Sequence, residues 1–150
     1  MNKLFFPVIA FSMLPLLFSC NRHSTSEKEK VENVADSFAT ALYNYDYGKA
    51  LKLGDDDSKK AIYLITGNLT EKDMEVIRNA RTGASVKVTD VDMDREDSTA
   101  VVTLKVENFF MKDSIGSTGH IVDQATWLLP LRKIKGNWLV EFKNIRPKDK

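Results

Sequence analysis

A chain of 150 residues with 22 Lys and Arg against 21 Asp and Glu carries a formal net charge of +1, and 43% of it is hydrophobic. So even a balance excludes the one-sided basic surface that nucleic-acid binding or polybasic membrane docking needs, and the length allows one domain with a single core. The lone cysteine, Cys20, rules out a disulfide within the chain.

In chain order, Lys3 supplies a positive start, and Leu4 to Phe18 form an uncharged apolar run interrupted by Pro7 and Pro15. That is the length of a secretory signal's apolar region and is too short for a comfortable membrane span, so residues 1–19 are predicted to be a signal peptide. Leu17-Phe18-Ser19-Cys20 resembles the lipobox of bacterial lipoproteins, with Phe18 where a smaller residue is usual. The resemblance implies that the Cys20 thiol is diacylglycerated, that the chain is cut before it, and that the protein is anchored to a membrane by several acyl chains. Asn21 stands where aspartate is the common retention signal, which points to the outer membrane of a bacterial envelope. The alternative is an ordinary signal followed by a free or buried thiol. Cutting before Cys20 removes only Lys3 among the charges and leaves 21 basic against 21 acidic residues. Residues 20–27 then read as the lipidated cysteine and a hydrophilic tether.

Four helices are predicted next. Ser24 and Ser26 each precede a glutamate by three residues, two overlapping capping boxes. Val31, Val34, Ala35, Phe38, Leu42 and Tyr45 follow at helical spacing, with Glu32, Asp36, Thr40 and Asn44 on the opposite face. Asp46 can cap a short helix from Tyr47 to Leu53. Asp55-Asp56-Asp57-Ser58 opens a third, carrying Ala61, Ile62, Leu64 and Ile65 and ending at Gly67. Thr70 and Asp73 form a capping box for a fourth, flanked by Leu69 and Met74 in hydrophobic-staple positions and ended by Gly83.

After Gly83 the period changes to two. Val86 and Val88 lie on one parity, Val91 and Met93 on the other, which requires a bulge near Thr89-Asp90. Ala100, Val102, Leu104, Val106 and Phe110 then alternate along a long strand, and pairing Met93 with Ala100, Val91 with Val102 and Val88 with Leu104 matches apolar to apolar. After a loop from Met111 to Gly119, a third strand carries Ile121, Ala125, Trp127, Leu129 and Leu131. Gly136-Asn137 is a hairpin signal that would place Lys135 opposite Trp138 and Phe142 opposite Leu131. Helices grouped before an antiparallel sheet predict an α+β domain over residues 28–146, with 147–150 as a tail.

The stretch FATALYNYDYGKALKL resembles the junction of the first two helices in small bacterial lipoproteins of unknown function with a nuclear transport factor two-like (cystatin-like) fold, and GNWLVEF resembles their last strand. The resemblance implies N-terminal helices packed on a strongly curved sheet, with a cone-shaped pocket between the first helix and the concave face. It implies no reaction.

Candidate chemistry is sparse. His23 and His120 have no partners at ligand or triad spacing, and Asp55-Asp56-Asp57 lacks the alternation and distal glutamate of a calcium loop, so no metal and no cofactor are expected. Asn108 and Asp123 are polar residues on otherwise apolar parities and would form a polar pair at the cone's rim if the strands place them opposite each other. Enzymes of this superfold use carboxylates in the cone for proton abstraction next to a carbonyl. By that resemblance Asp123 is a weak candidate base, with Tyr45 or Tyr63 as donor to the oxyanion; a hydrated rim residue is the plainer reading. Phe38, Leu42, Tyr45, Tyr63, Asn108, Phe110, Asp123 and Trp127 are candidate pocket-lining residues, and the aromatic ones serve equally as core. The outer sheet face, with Val101, Thr103, Lys105, Glu107 and Phe109, is apolar enough to pair two copies of the chain. The leading expectation is a lipid-anchored, non-catalytic module that binds a small apolar ligand or an envelope protein. The alternatives are a small isomerase- or cyclase-like enzyme using Asp123, or a structural subunit docking through its sheet.

Overall fold

The computed structural model describes residues 22–94, 96 and 98–148. Cys20, Asn21 and the predicted signal peptide lie outside the described residues. Helix α1 (Arg22–Tyr43) is followed by α2 (Tyr47–Leu53), α3 (Asp56–Gly67) and α4 (Glu71–Asn79). Strands β1 (Ser85–Met93), β2 (Thr99–Met111), β3 (His120–Ile134) and β4 (Asn137–Val140) form an antiparallel sheet in that order, and a short β5 (Arg146–Pro147) pairs with β3. The domain is α+β, four helices against one sheet.

Three helix starts follow the sequence signals. Asp46 accepts from Lys49 N–H and Asp55 from Ser58 N–H, and Thr70 and Asp73 form a reciprocal capping box. α4 stops at Asn79, four residues before Gly83. The first helix departs further: it is already running at Arg22, and Glu27, expected in a hydrophilic tether, is only 2% exposed. Its carboxylate accepts from Lys133 Nζ at 2.7 Å, Trp138 Nε1 at 2.9 Å and Lys30 Nζ at 2.7 Å, tying the start of α1 to the β3–β4 hairpin. At the other end, the expected tail is partly in the sheet, since Pro147 pairs with Trp127 and Lys148 N–H donates to Thr126 O.

The predicted bulge is present between Val88 and Asp90, and it produces the pairs Val88–Leu104, Val91–Val102 and Met93–Ala100. α1 crosses this face of the sheet, and Val31, Ala35, Phe38, Ala39 and Leu42 close the core against Val102, Leu104, Val106, Leu129, Leu131 and Val140. Phe38 is enclosed, its ring 5.7 Å from that of Phe142.

The last hairpin differs from the expectation. Ile134 pairs with Asn137, Lys133 with Trp138 and Leu131 with Val140, so the turn residues are Lys135 and Gly136, not Gly136 and Asn137. Both have positive φ, 50° and 83°, the backbone of a type I′ turn, whose twist matches that of the strands it joins. The shift is by two residues, which preserves the faces: Trp138 and Val140 are buried as expected while their partners change. Phe142 leaves the ladder altogether and begins a 3₁₀ turn, Phe142–Asn144.

Candidate functional site

The alternation along β2 breaks at Asn108. Its φ of 54° lies in the left-handed region, and the side-chain order changes there. Pairing continues in register on both sides, Glu107 with Gln124 and Phe109 with Val122, so no residue is inserted. Phe109, expected on the outer face, is therefore turned inward and buried at the edge of α1, where its ring meets Tyr43 at 5.1 Å and Trp127 at 6.4 Å. Thr103, also expected outside, is buried, and the outer face of β2 is left with the Lys105–Glu107 ion pair and half-buried Val101.

Phe109, Phe110 and Met111 form one wall of a cavity of about 400 Å³. Leu42 and Tyr43 at the end of α1, Tyr45 in the α1–α2 turn and Tyr47 in α2 form another, Trp127 of β3 a third, and Phe142 and Ile145 close the side next to the 3₁₀ turn. Tyr45 reaches it because its own φ is 67°, which reverses the chain after α1. The mouth is bordered by Leu64 and Ile65 of α3 and Ile115 of the β2–β3 loop; Leu64 is 57% and Ile115 71% exposed. α3 thus buries Ile62 in the core and turns much of its expected apolar face to this opening.

Polar groups at the cavity are few and mostly donors. Burial pushes the Tyr43 hydroxyl far above its ordinary pKa, and raises Tyr45 and Tyr47 as well, so all three are neutral at pH 7. Trp127 Nε1 is buried and finds no acceptor among the described residues, a condition that costs about 1–3 kcal/mol where it persists. Lys112 Nζ donates to Asp73 at 2.7 Å and to Asn68 O at 2.9 Å. Asp73 is fully buried and accepts besides from Gly119 N–H, Thr70 N–H and Thr70 Oγ1; the Gly119 amide, the Lys112 ammonium and the Thr70 amide hold its carboxyl well below the usual range. One cap residue thereby fastens α4 to both ends of the loop between β2 and β3.

Of the residues singled out from sequence, Leu42, Tyr45, Phe110 and Trp127 line this cavity. Phe38 does not: one turn before Leu42 on the same face of α1, it is enclosed in the core. Tyr63 is 63% exposed on α3 and is not among the residues that line the cavity. Asn108 borders a separate small recess with Tyr45, Ile77 and Gly83. Asp123 is exposed and lines none of these cavities, and although the register sets it across from Asn108, no hydrogen bond joins the two side chains. A base at Asp123 would work outside the cavity, so the proton-abstraction geometry implied by resemblance is not assembled. Tyr43, Tyr47, Phe109 and Lys112 were missed. Phe109 was hidden by its parity, and the tyrosines sit at a helix end where periodicity gives no direction. Lys112 alone had a signal, as a lysine in a loop that follows three apolar residues.

No protein-family model and no curated protein matches the chain. Among solved structures, a protein of unknown function with a cystatin-like fold from Nostoc punctiforme is similar over 75% of this chain and 84% of its own, at 12% identity and a TM-score of 0.49. An NTF-2 like protein of unknown function from Shewanella oneidensis is similar over 75% and 92%, at 10% identity and a TM-score of 0.49. The association domain of CaMKII from C. elegans is similar over 80% and 95%, at 16% identity and a TM-score of 0.46. Within the described residues no helix is long and apolar enough to cross a membrane, and no group of three or more His, Cys, Asp or Glu is placed to hold a metal ion.

Proposed function

We propose that this chain is a lipid-anchored, non-catalytic binding module of a bacterial envelope that holds a small, mostly apolar molecule in the cavity beside Trp127. The carrying observation is the cavity itself. Its volume of about 400 Å³ falls within the range of about 300–1,000 Å³ common for small-ligand sites, and its walls are aromatic and aliphatic with a few donors. Its lining residues include one ammonium, no carboxylate and no imidazole, a set suited to holding a molecule more than to exchanging protons with it. The anchor rests on the lipobox-like sequence ending at Cys20.

Trp127 and Trp138 are the only tryptophans, and Trp127 alone lines the cavity. A brominated alcohol such as 12-bromododecan-1-ol should therefore quench the Trp127 emission of the full chain in non-ionic detergent. The Trp127→Phe variant, which emits only from Trp138, should not be quenched. Equal quenching of both proteins, or of neither, removes the cavity reading. Incorporation of radiolabelled palmitate that disappears in Cys20→Ala supports the anchor; unlabelled, soluble wild-type protein removes it.

A further inference from the structure

We propose that the cavity takes a single-chain amphiphile whose anionic carboxylate head is bound by Lys112, an inference that rests on the apolar-ligand reading above and adds the chemistry of the ligand's head. Lys112 directly follows β2 and is the only charged residue in the cavity's lining. Two of its three ammonium protons are committed, to Asp73 Oδ2 at 2.7 Å and Asn68 O at 2.9 Å, and the third has no acceptor among the described residues. A surface lysine must usually be ordered before it can bind an anion, which costs side-chain entropy. Here that ordering is already accomplished, because Asp73 is itself fixed by Gly119 N–H and by both donors of Thr70. Those three donors also share the Asp73 charge, so the ammonium is not fully spent on it.

The distribution of polarity orients the guest. Lys112 and Ser114 lie on the β2–β3 loop beside exposed Ile115, at the mouth, whereas Leu42 and Phe109, both buried, form the inner end. A carboxylate placed on the third proton of Lys112 leaves its alkyl chain to run inward. A neutral head would leave that proton without a charged acceptor, and a cationic head would meet the ammonium itself, while Asp73, which balances that ammonium, is fully buried and is not part of the lining.

The test compares two probes of equal chain length on the full chain in non-ionic detergent at about pH 8.5, 12-bromododecanoate and 12-bromododecan-1-ol, read by quenching of Trp127. Bromine quenches on contact, and because acid and alcohol partition differently into micelles, each half-quenching point is expressed as free probe, with partition measured at the same detergent concentration and pH. The acid should reach half-quenching at a concentration about tenfold or more below the alcohol, as a charge-assisted hydrogen bond requires. Lys112→Met should erase the difference between acid and alcohol when both are measured in that variant, and Lys112→Arg should keep the preference. Lowering the pH until the acid is protonated should erase the preference in the wild type, a measurement that stands even if Lys112→Met fails to fold. Equal quenching by both probes in the wild type overturns the anionic head and spares the apolar cavity; quenching by neither overturns both. An acid preference that survives in folded Lys112→Met overturns the assignment to Lys112.

Discussion

The indole Nε1 of Trp138 donates to Glu27 Oε2 at 2.9 Å, joining the first described turns of α1 to the last hairpin across 111 residues of chain. Lys133 reaches the same oxygen at 2.7 Å and Lys30 the other, so a carboxylate that is almost fully buried is met by two cations and a neutral donor. The hydrogen bonds from Lys133, Lys30 and Trp138 hold the Glu27 carboxyl at about 2, down from 4.5. A depressed carboxyl pKa stabilises the fold fully above the unfolded-state value and loses that contribution as pH falls through the folded value. Stability should therefore decline between about pH 4.5 and pH 2, and Glu27→Gln should flatten this part of the profile while lowering stability at pH 7. Urea midpoints across that range test it; a Glu27→Gln profile parallel to the wild type would mean that the carboxylate is not ionised against these partners.

Ser58 performs a similar junction for α3. It is fully buried, donates to Val140 O at 2.8 Å, and accepts from Phe142 N–H at 2.6 Å, while the adjacent Asp55 N–H also donates to Val140 O. Ser58→Ala leaves the Phe142 amide without an acceptor beside the core, and should cost about 1–3 kcal/mol in denaturant unfolding at constant slope. Because Phe142 and Ile145 wall the cavity, the same variant should weaken quenching of Trp127 by the brominated alcohol. An unchanged midpoint would show that water replaces the hydroxyl at no cost.

The Lys135-Gly136 turn permits substitutions of opposite sign. A Cβ at Gly136 would meet nothing within 4 Å, so Gly136→Ala is purely a backbone penalty at φ 83°, about 1–2 kcal/mol. Lys135 already sits at φ 50°, where Asn is better suited, and Lys135→Asn creates the Asn-Gly pair favoured in type I′ turns. It should raise stability by a few tenths of a kcal/mol to about 1 kcal/mol. Equal destabilisation by both variants would contradict the observed turn and favour the register centred one residue later.

The contrast between the two hairpins explains what was legible in the sequence. In β1 and β2 a parity change at Thr89-Asp90 demanded a bulge, and only one placement matched apolar residues on both strands, so the pairs could be read out. In the β3–β4 hairpin two registers differing by two residues put the same side chains on the same faces, and hydrophobic patterning cannot choose between them; the backbone of Lys135 and Gly136 does. The capping residues of α2, α3 and α4 were local and therefore readable. The cavity was half readable, because Leu42, Phe110 and Trp127 follow from periodicity, whereas Tyr45, beyond the end of α1, and Phe109 depend on left-handed conformations at Tyr45 itself and at Asn108 that non-glycine residues do not announce. Glu27 carried no local sign of burial, since its partners Lys133 and Trp138 lie more than a hundred residues away.

Gly119 links the Asp73 junction to the cavity wall, and a single methyl there should report on both. Its N–H donates to Asp73 Oδ1 at 2.8 Å, and it is buried against Phe110, whose ring edge occupies the space a Cβ would need; the Met111 carbonyl oxygen is also too close to one. The backbone cannot retreat without lengthening the bond to Asp73, so in Gly119→Ala the ring must move, and its other side is the cavity. Overpacking of this kind costs about 1–3 kcal/mol. The displaced ring should also raise the concentration of 12-bromododecan-1-ol needed to quench Trp127. Gly67→Ala is the matched control, since a Cβ at the end of α3 would meet nothing within 4 Å and should leave quenching unaltered. Faster amide exchange at residue 119 in Gly119→Ala, without a change in quenching, would place the adjustment in the Asp73 bond and show that Phe110 does not shape the cavity.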